Sequence, residues 1–184
     1  MPIQTPICDF GKKALPFELK STEKKIISLD NIKGENGTLI MFICNHCPYV
    51  KAVTKEIVED CNELKKIGIN SVAICSNDFV KYPDDSFDNM IKFAKNNQFG
   101  FPYLHDDTQE IAKSYDAVCT PDFFGYNKNV ELQYRGRLRE LKNFVPVNDG
   151  ESDLLKAMKQ IAETGKGPVN QIPSAGCGIK WNFN

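Results

Sequence analysis

A continuous apolar run, Thr38-Leu39-Ile40-Met41-Phe42-Ile43, ends in Cys44-Asn45-His46-Cys47-Pro48 and opens into a helical pattern beginning near Tyr49. No other stretch constrains the fold so tightly. An uninterrupted run of this kind is what a strand buried on both faces needs. Val50, Val53, Ile57, Cys61 and Leu64 then recur at three- and four-residue spacing. That is the core-facing stripe of a helix running to about Lys66, with Gly68 ending it. Cys61 falls on the stripe and reads as a core cysteine.

The strand–helix junction carries chemistry. Two cysteines separated by two residues, at a strand end and at the first turn of a helix, form a redox dithiol pattern. The helix N-terminus offers unpaired N–H groups and the positive end of the macrodipole, which favour a thiolate. The spacing predicts Cys44 as the more exposed, attacking sulfur and Cys47 as the more buried, resolving one. His46 stands between them, where an imidazolium or a dipole would stabilise the Cys44 thiolate and make the couple more oxidising. The competing reading is half of a zinc site built from Cys44, His46 and Cys47. It lacks a second C-x-x-C, and the only other histidine is His105. The expectation is therefore redox chemistry with no metal.

Length and composition set the frame. A chain of 184 residues with 41% hydrophobic and 26% charged residues suits one globular domain over 1–184. A net charge of −1 gives no electrostatic reason for a nucleic-acid or anionic membrane partner. No apolar run reaches membrane-spanning length. The start, Met1-Pro2-Ile3-Gln4-Thr5, shows no signal-peptide pattern. Seven scattered cysteines do not suggest a disulfide framework. A cytoplasmic location is the expectation.

Residues 1–37 read as an N-terminal β extension, with short strands at Ala14–Leu19 and Lys25–Leu29 and a bystander thiol at Cys8. Asn36-Gly37 marks a turn. Ile69–Cys75 is a second central strand with Cys75 buried in it. Asn77-Asp78 and Tyr82–Asp85 make a loop. A helix is expected over about Ser86–Asn96, with Phe87, Met90, Ile91 and Ala94 inward. Phe101–Leu104 is a short strand. Asp106 with Gln109 predicts a capping box for a helix over Thr108–Tyr115. This alternation implies right-handed crossovers and a largely parallel sheet. Phe123–Tyr126 and Glu131–Arg135 around Asn127-Lys128-Asn129 then form a hairpin. A last helix covers Ser152–Glu163. Residues 165–184, rich in Gly and Pro, form a C-terminal arm.

Between helix and hairpin stands Val118-Cys119-Thr120-Pro121-Asp122. A proline entering a strand cannot donate to the ladder, so it sits on an edge, at a bend or in a cis bond. Beside a dithiol, a cis proline would leave a backbone C=O and N–H where a substrate chain can pair. Thr120 and Pro121 are the expected substrate-binding residues.

The order of strand, C-x-x-C, helix, strand, helix, Thr-Pro, hairpin and helix resembles the thioredoxin superfamily. Ala14–Leu19 with Ser28-Leu29-Asp30, Cys44–Val50, Cys119–Phe123 and Gly176–Trp181 together resemble a peroxiredoxin-like, AhpC/TSA-type subfamily. The resemblance implies an α/β, thioredoxin-like fold: a central mixed sheet flanked by helices, with the β extension and the arm added. It carries Cys44 and Cys47 over as the redox pair and Pro121 as the cis proline. His46 takes the place held by histidine in a strongly oxidising periplasmic disulfide oxidase. The match has departures. Ile43 replaces a tryptophan, and Thr38 lies near where thioredoxin keeps a buried acid. The peroxidatic Pro-x-x-x-Thr/Ser-x-x-Cys pattern is absent: Ile40 and Cys44 stand where ending it at Cys47 needs Pro and Thr. Ending it at Cys44 meets Gly37 and Met41 instead. Arg135, Arg137 and Arg139 then suggest a solvated basic strand end.

The function expected is thiol–disulfide exchange with a protein or small-molecule thiol or disulfide, using no organic cofactor and a separate reductase as electron donor. Alternatives are a thiol peroxidase, a metal-binding or redox-sensing module, and an interaction domain with an idle dithiol. Cys119 and Cys177 are candidates for a third redox cysteine. Cys177 lies between Gly176 and Gly178, where the backbone is permissive. The arm either caps a hydrophobic edge, swings Cys177 to the site, or supplies a metal ligand. Trp181 and Phe183 are its expected anchors.

Overall fold

A computed structural model describes residues 1–6 and 10–182; Cys8 and Phe183 fall outside the described residues. The elements run β1 (Ile3–Gln4), β2 (Glu18–Ser21), β3 (Ile26–Ser28), α1 (Leu29–Ile32), β4 (Gly37–Phe42) and α2 (Pro48–Lys66). There follow β5 (Ile69–Cys75), a short 3-10 turn (Pro83–Asp85), α3 (Phe87–Asn96), β6 (Tyr103–His105) and α4 (Glu110–Ser114). The chain closes with β7 (Cys119–Thr120), β8 (Asp122–Asn127), β9 (Leu132–Gly136), a small β10–β11 hairpin (Leu141–Lys142 and Val145–Pro146), α5 (Asp153–Thr164) and β12 (Ala175–Gly178).

The main sheet has the order β3-β2-β6-β5-β4-β8-β9. Only β4, β5 and β6 run parallel; the pairs β2–β3, β2–β6, β4–β8 and β8–β9 are antiparallel. The sheet is mixed, less parallel than strand–helix alternation alone implies, because the lead-in strands and the hairpin add antiparallel edges. Every residue of β4 is buried. Its side chains alternate across the sheet. Leu39 and Met41 join α2, α3 and α5 on one face, while Ile40 and Phe42 join Leu29, Ile32 and Ala112 on the other. No helix is long and apolar enough to cross a membrane among the described residues.

Several expectations need correction. The lead-in strand begins at Glu18, not Ala14. Ala14 N–H bonds to Val130 O instead, and Pro16 has no N–H to give. The capping box at α4 does not form. Gln109 adopts φ +64° and its amide reaches Ser76 O and Lys180 O, while Asp106 accepts from Ile111 N–H and Ala112 N–H. The arginines are not a solvated row. Arg135 is buried and paired with Asp122 at 2.8 Å, Arg137 pairs with Asp153, and Arg139 pairs with Glu56.

Candidate active site

The Cys-Asn-His-Cys segment bridges the carboxyl end of β4 and the first turn of α2, with Pro48 at the start of that helix. Proline suits this position because its missing N–H would be unpaired anyway. The adjacent parallel strands β5 and β6 end at the same edge of the sheet, so the loops after them converge on the motif. The 3-10 turn after β5 and Tyr103 at the start of β6 lock Asn45. Its N–H donates to Asp85 Oδ1 at 2.8 Å, its amide donates to Asp84 O at 2.9 Å, and Tyr103 OH donates to its Oδ1 at 2.9 Å.

Asp85 is wholly buried. Besides Asn45 N–H, it accepts from Asn77 Nδ2 at 2.7 Å and lies 2.6 Å from His46 Nδ1. The His46 ring also stacks on Tyr82, with centroids 5.7 Å apart and planes 6° from parallel. Its Nδ1 contact is thus with Asp85 rather than with Cys44. Ligand atoms of Cys44, His46 and Asp85 all lie within 4.8 Å of one another.

Cys44 and Cys47 are unbonded thiols, hydrogen-bonded to each other. Thr120 lies against both: its hydroxyl is 3.3 Å from Cys44 Sγ, and its carbonyl is 3.2 Å from Cys47 Sγ, accepting its proton when Cys47 is a thiol. The Thr120–Pro121 bond is cis. The expected contrast in exposure is absent, since Cys44 is 1% exposed and Cys47 0%. The expected thiolate is also reversed. The shared hydrogen bond, burial and the Asp85 carboxylate all hold Cys44 in its neutral form, pushing its pKa well up. Cys47 instead receives the Cys44 thiol, the side chain and N–H of Cys177, and the first-turn Val50 N–H; these donors bring it down to about 4 against burial. The hydrogen bond shared by the two sulfurs and the burial of Cys44 set which one ionises first, and the Asp85 carboxylate adds to both.

The arm supplies the rest of the wall. Strand β12 lies between β1 and β7, with Cys177 opposite Thr120 and Gly178 opposite Cys119. The backbone edge at Thr120, expected to be open for a substrate chain, is occupied by this chain itself. Gly176 makes the approach feasible: a Cβ there would fall 2.1 Å from Thr120 O. Cys119 is buried, with Sγ 3.7 Å from Pro121 O, and burial raises its pKa. Cys177 is only partly buried and packs against the core cluster containing Cys44 and Cys47. Trp181 packs on the opposite side of the sheet, under Lys113.

Asp85, Asn77 and Tyr103 had no signal in the motif itself. The one usable hint was topological, because loops following parallel neighbours meet at one edge.

A model of the AhpC/TSA family matches residues 10–141. The chain is similar to an uncharacterized conserved protein from Geobacillus kaustophilus, at 39% identity, covering 100% of this chain and 98% of that one, with a TM-score of 0.94. It is also similar to the thioredoxin domain of a thiol-disulfide oxidoreductase from Bacteroides vulgatus, at 16% identity, 74% and 91% coverage and TM-score 0.59. A peroxidoxin from Mycobacterium tuberculosis matches at 14% identity, 83% and 92% coverage and TM-score 0.58. The last two likenesses show a shared fold, which is thioredoxin-like. The curated proteins hold no match to this chain.

Proposed function

Because this chain belongs to the AhpC/TSA family, we propose that it is a thiol–disulfide oxidoreductase exchanging electrons with a disulfide or dithiol partner through Cys44 and Cys47. The observation that carries this reading is the pair itself: two sulfurs in mutual hydrogen bond, with one residue, Thr120, contacting both. Such a pair stores two electrons and releases them as it closes into a disulfide. A structural thiol pair would not need a sulfur held as thiolate, and Cys47 receives donors from several directions. The partner is a protein or small-molecule thiol or disulfide, with a separate reductase closing the cycle.

Equilibration in glutathione redox buffers, followed by alkylation and peptide mapping, tests it. The expected product is a Cys44–Cys47 disulfide that forms and reopens within the range of cellular potentials. A pair that stays fully reduced or fully oxidised across that range overturns the reading.

A second reading, a metal-binding or redox-sensing module, is favoured by the convergence of Cys44, His46 and Asp85. Against it, Asp85 already takes hydrogen bonds from Asn45 and Asn77 and contacts His46. A cation would have to displace partners that now satisfy this carboxylate. Stoichiometric zinc or copper in protein purified under reducing conditions would establish the second reading over the first.

A further inference from the structure

A sealed dithiol poses a problem of access. Cys44 and Cys47 are 1% and 0% exposed, so a partner disulfide in solution cannot reach either sulfur in this conformation. The arm that covers them is strapped on both sides of β12. Before it, Thr5 N–H bonds to Ser174 O at 3.0 Å, and Ser174 Oγ donates to Pro121 O at 2.7 Å. After it, Ile179 N–H bonds to Val118 O at 3.1 Å. Lys180 N–H bonds to Asn77 Oδ1 at 2.9 Å, and Asn182 N–H bonds to Gln109 Oε1 at 2.7 Å. A segment held in this way is a poor lid. It does, however, carry a sulfur. Cys177 sits opposite Thr120 in the strand register, is hydrogen-bonded to Cys47, and alone among the site sulfurs is partly exposed.

We propose that Cys177 is a relay sulfur: it meets the partner at the surface and forms a transient disulfide with Cys47, so the Cys44–Cys47 pair exchanges electrons without the arm leaving. The proposal rests on the thiol–disulfide reading above.

In the reducing direction the steps balance. Cys177, giving its proton to the adjacent Cys47 thiolate, attacks one sulfur of a partner disulfide. One partner sulfur leaves as thiolate and takes that proton back from Cys47. Cys47 thiolate then attacks Cys177, forming the Cys47–Cys177 bond and expelling the second partner sulfur. Cys44 finally attacks Cys47, forming the Cys44–Cys47 bond and expelling Cys177, which takes the Cys44 proton and returns as the thiol, while the second partner sulfur stays a thiolate. Two electrons and one proton have moved from the buried pair to the partner, which leaves as one thiol and one thiolate. The cycle runs backwards when a dithiol donor recharges the protein. Burial favours this order, because the lasting disulfide ends on the sealed sulfurs and the short-lived one on the exposed sulfur. Cys119 cannot substitute, since it is fully buried with its sulfur against Pro121 O.

The experiment uses the full chain with glutathione disulfide as probe. In Cys44→Ser, the last step is blocked, and acid quenching with peptide mapping should find a Cys47–Cys177 disulfide. In Cys177→Ser and Cys177→Ala, the oxidation of the Cys44–Cys47 pair should slow by roughly tenfold or more, because an intramolecular step is lost. The same pair should still be found at equilibrium. Thermal melts establish that the variants fold. A Cys44→Ser protein that carries only glutathione on Cys47, or Cys177 variants that react at or above the wild-type rate, overturns the relay and leaves the dithiol reading intact. A wild-type chain that never forms Cys44–Cys47 overturns the dithiol reading itself, and the relay with it.

Discussion

Replacing Gly176 with alanine probes the arm at its tightest contact. The glycine does not occupy the left-handed region, so alanine brings no backbone strain of its own and the contact is isolated. A Cβ at 176 would lie 2.1 Å from Thr120 O, 2.7 Å from Thr120 C and 3.1 Å from Pro121 N. All three atoms belong to backbone and cannot rotate away. Ordinary van der Waals contact begins near 3.4 Å, so the two strands must separate by roughly the 1.3 Å difference between 3.4 and 2.1 Å. Overpacking of this kind costs about 1–3 kcal/mol. For a chain of this size each kcal/mol lowers the midpoint by roughly 2–4 °C, which gives a fall of roughly 2–12 °C. The separation also draws Cys177 away from Cys47. Melting followed by circular dichroism, with iodoacetamide labelling of the reduced protein, reads both effects. The expected result is a lower midpoint and faster labelling of Cys47. A variant with the wild-type midpoint and labelling rate would show that β12 does not seal the dithiol, and the access argument would fail.

Three other outcomes follow from the same contacts. The reduced dithiol makes stability depend on pH. Cys47, lowered from 9.0 to about 4, adds stability that is fully present above about 9 and lost as the pH falls toward about 4. Cys44, raised above 9.0, removes stability as the pH climbs past 9. Melts of reduced minus oxidised protein should therefore peak near pH 9, and a flat difference would contradict the assignment of the thiolate to Cys47. Arg135→Leu should cost about 3–5 kcal/mol, because it strands the buried Asp122 carboxylate that now pairs with it at 2.8 Å; urea titration measures this, and a loss under about 1 kcal/mol would contradict it. Ser152→Ala should cost about 1 kcal/mol for the lost cap on Leu155 N–H. It should also move the Asp60 carboxyl, now about 6 from burial and hydrogen-bonded to Ser152 at 2.6 Å, further up in an NMR titration, and an unmoved Asp60 would rule out that hydrogen bond as a restraint.

What was readable in the chain and what was not divides along a physical line. Strand β5 and helix α2 are written in local periodicity, and their bounds follow from Ile69–Cys75 and from Pro48 and Gly68 almost to the residue. The dithiol and the Thr-Pro pair carry their own residue types, so they were legible as well. Asp85 was not, because it reaches Asn45 and His46 across 40 and 39 residues of chain, and an acid in a loop has no pattern that points at its partner. Its carboxylate adds to the hydrogen bond with Cys47 and the burial that keep Cys44 protonated, and none of the three shows in the motif, which is why the thiolate was expected on the other sulfur. The arm was illegible for a different reason. A Gly- and Pro-rich segment has no periodicity, and the register of β12 is set by a close approach that only the folded backbone reveals. Yet the exposure of Cys44, and with it the route electrons take, depends on that register. The same close-packed glycine that lets β12 cover the dithiol sets Cys177 opposite Thr120 and against the cluster that holds Cys47, so sealing and access are consequences of a single contact.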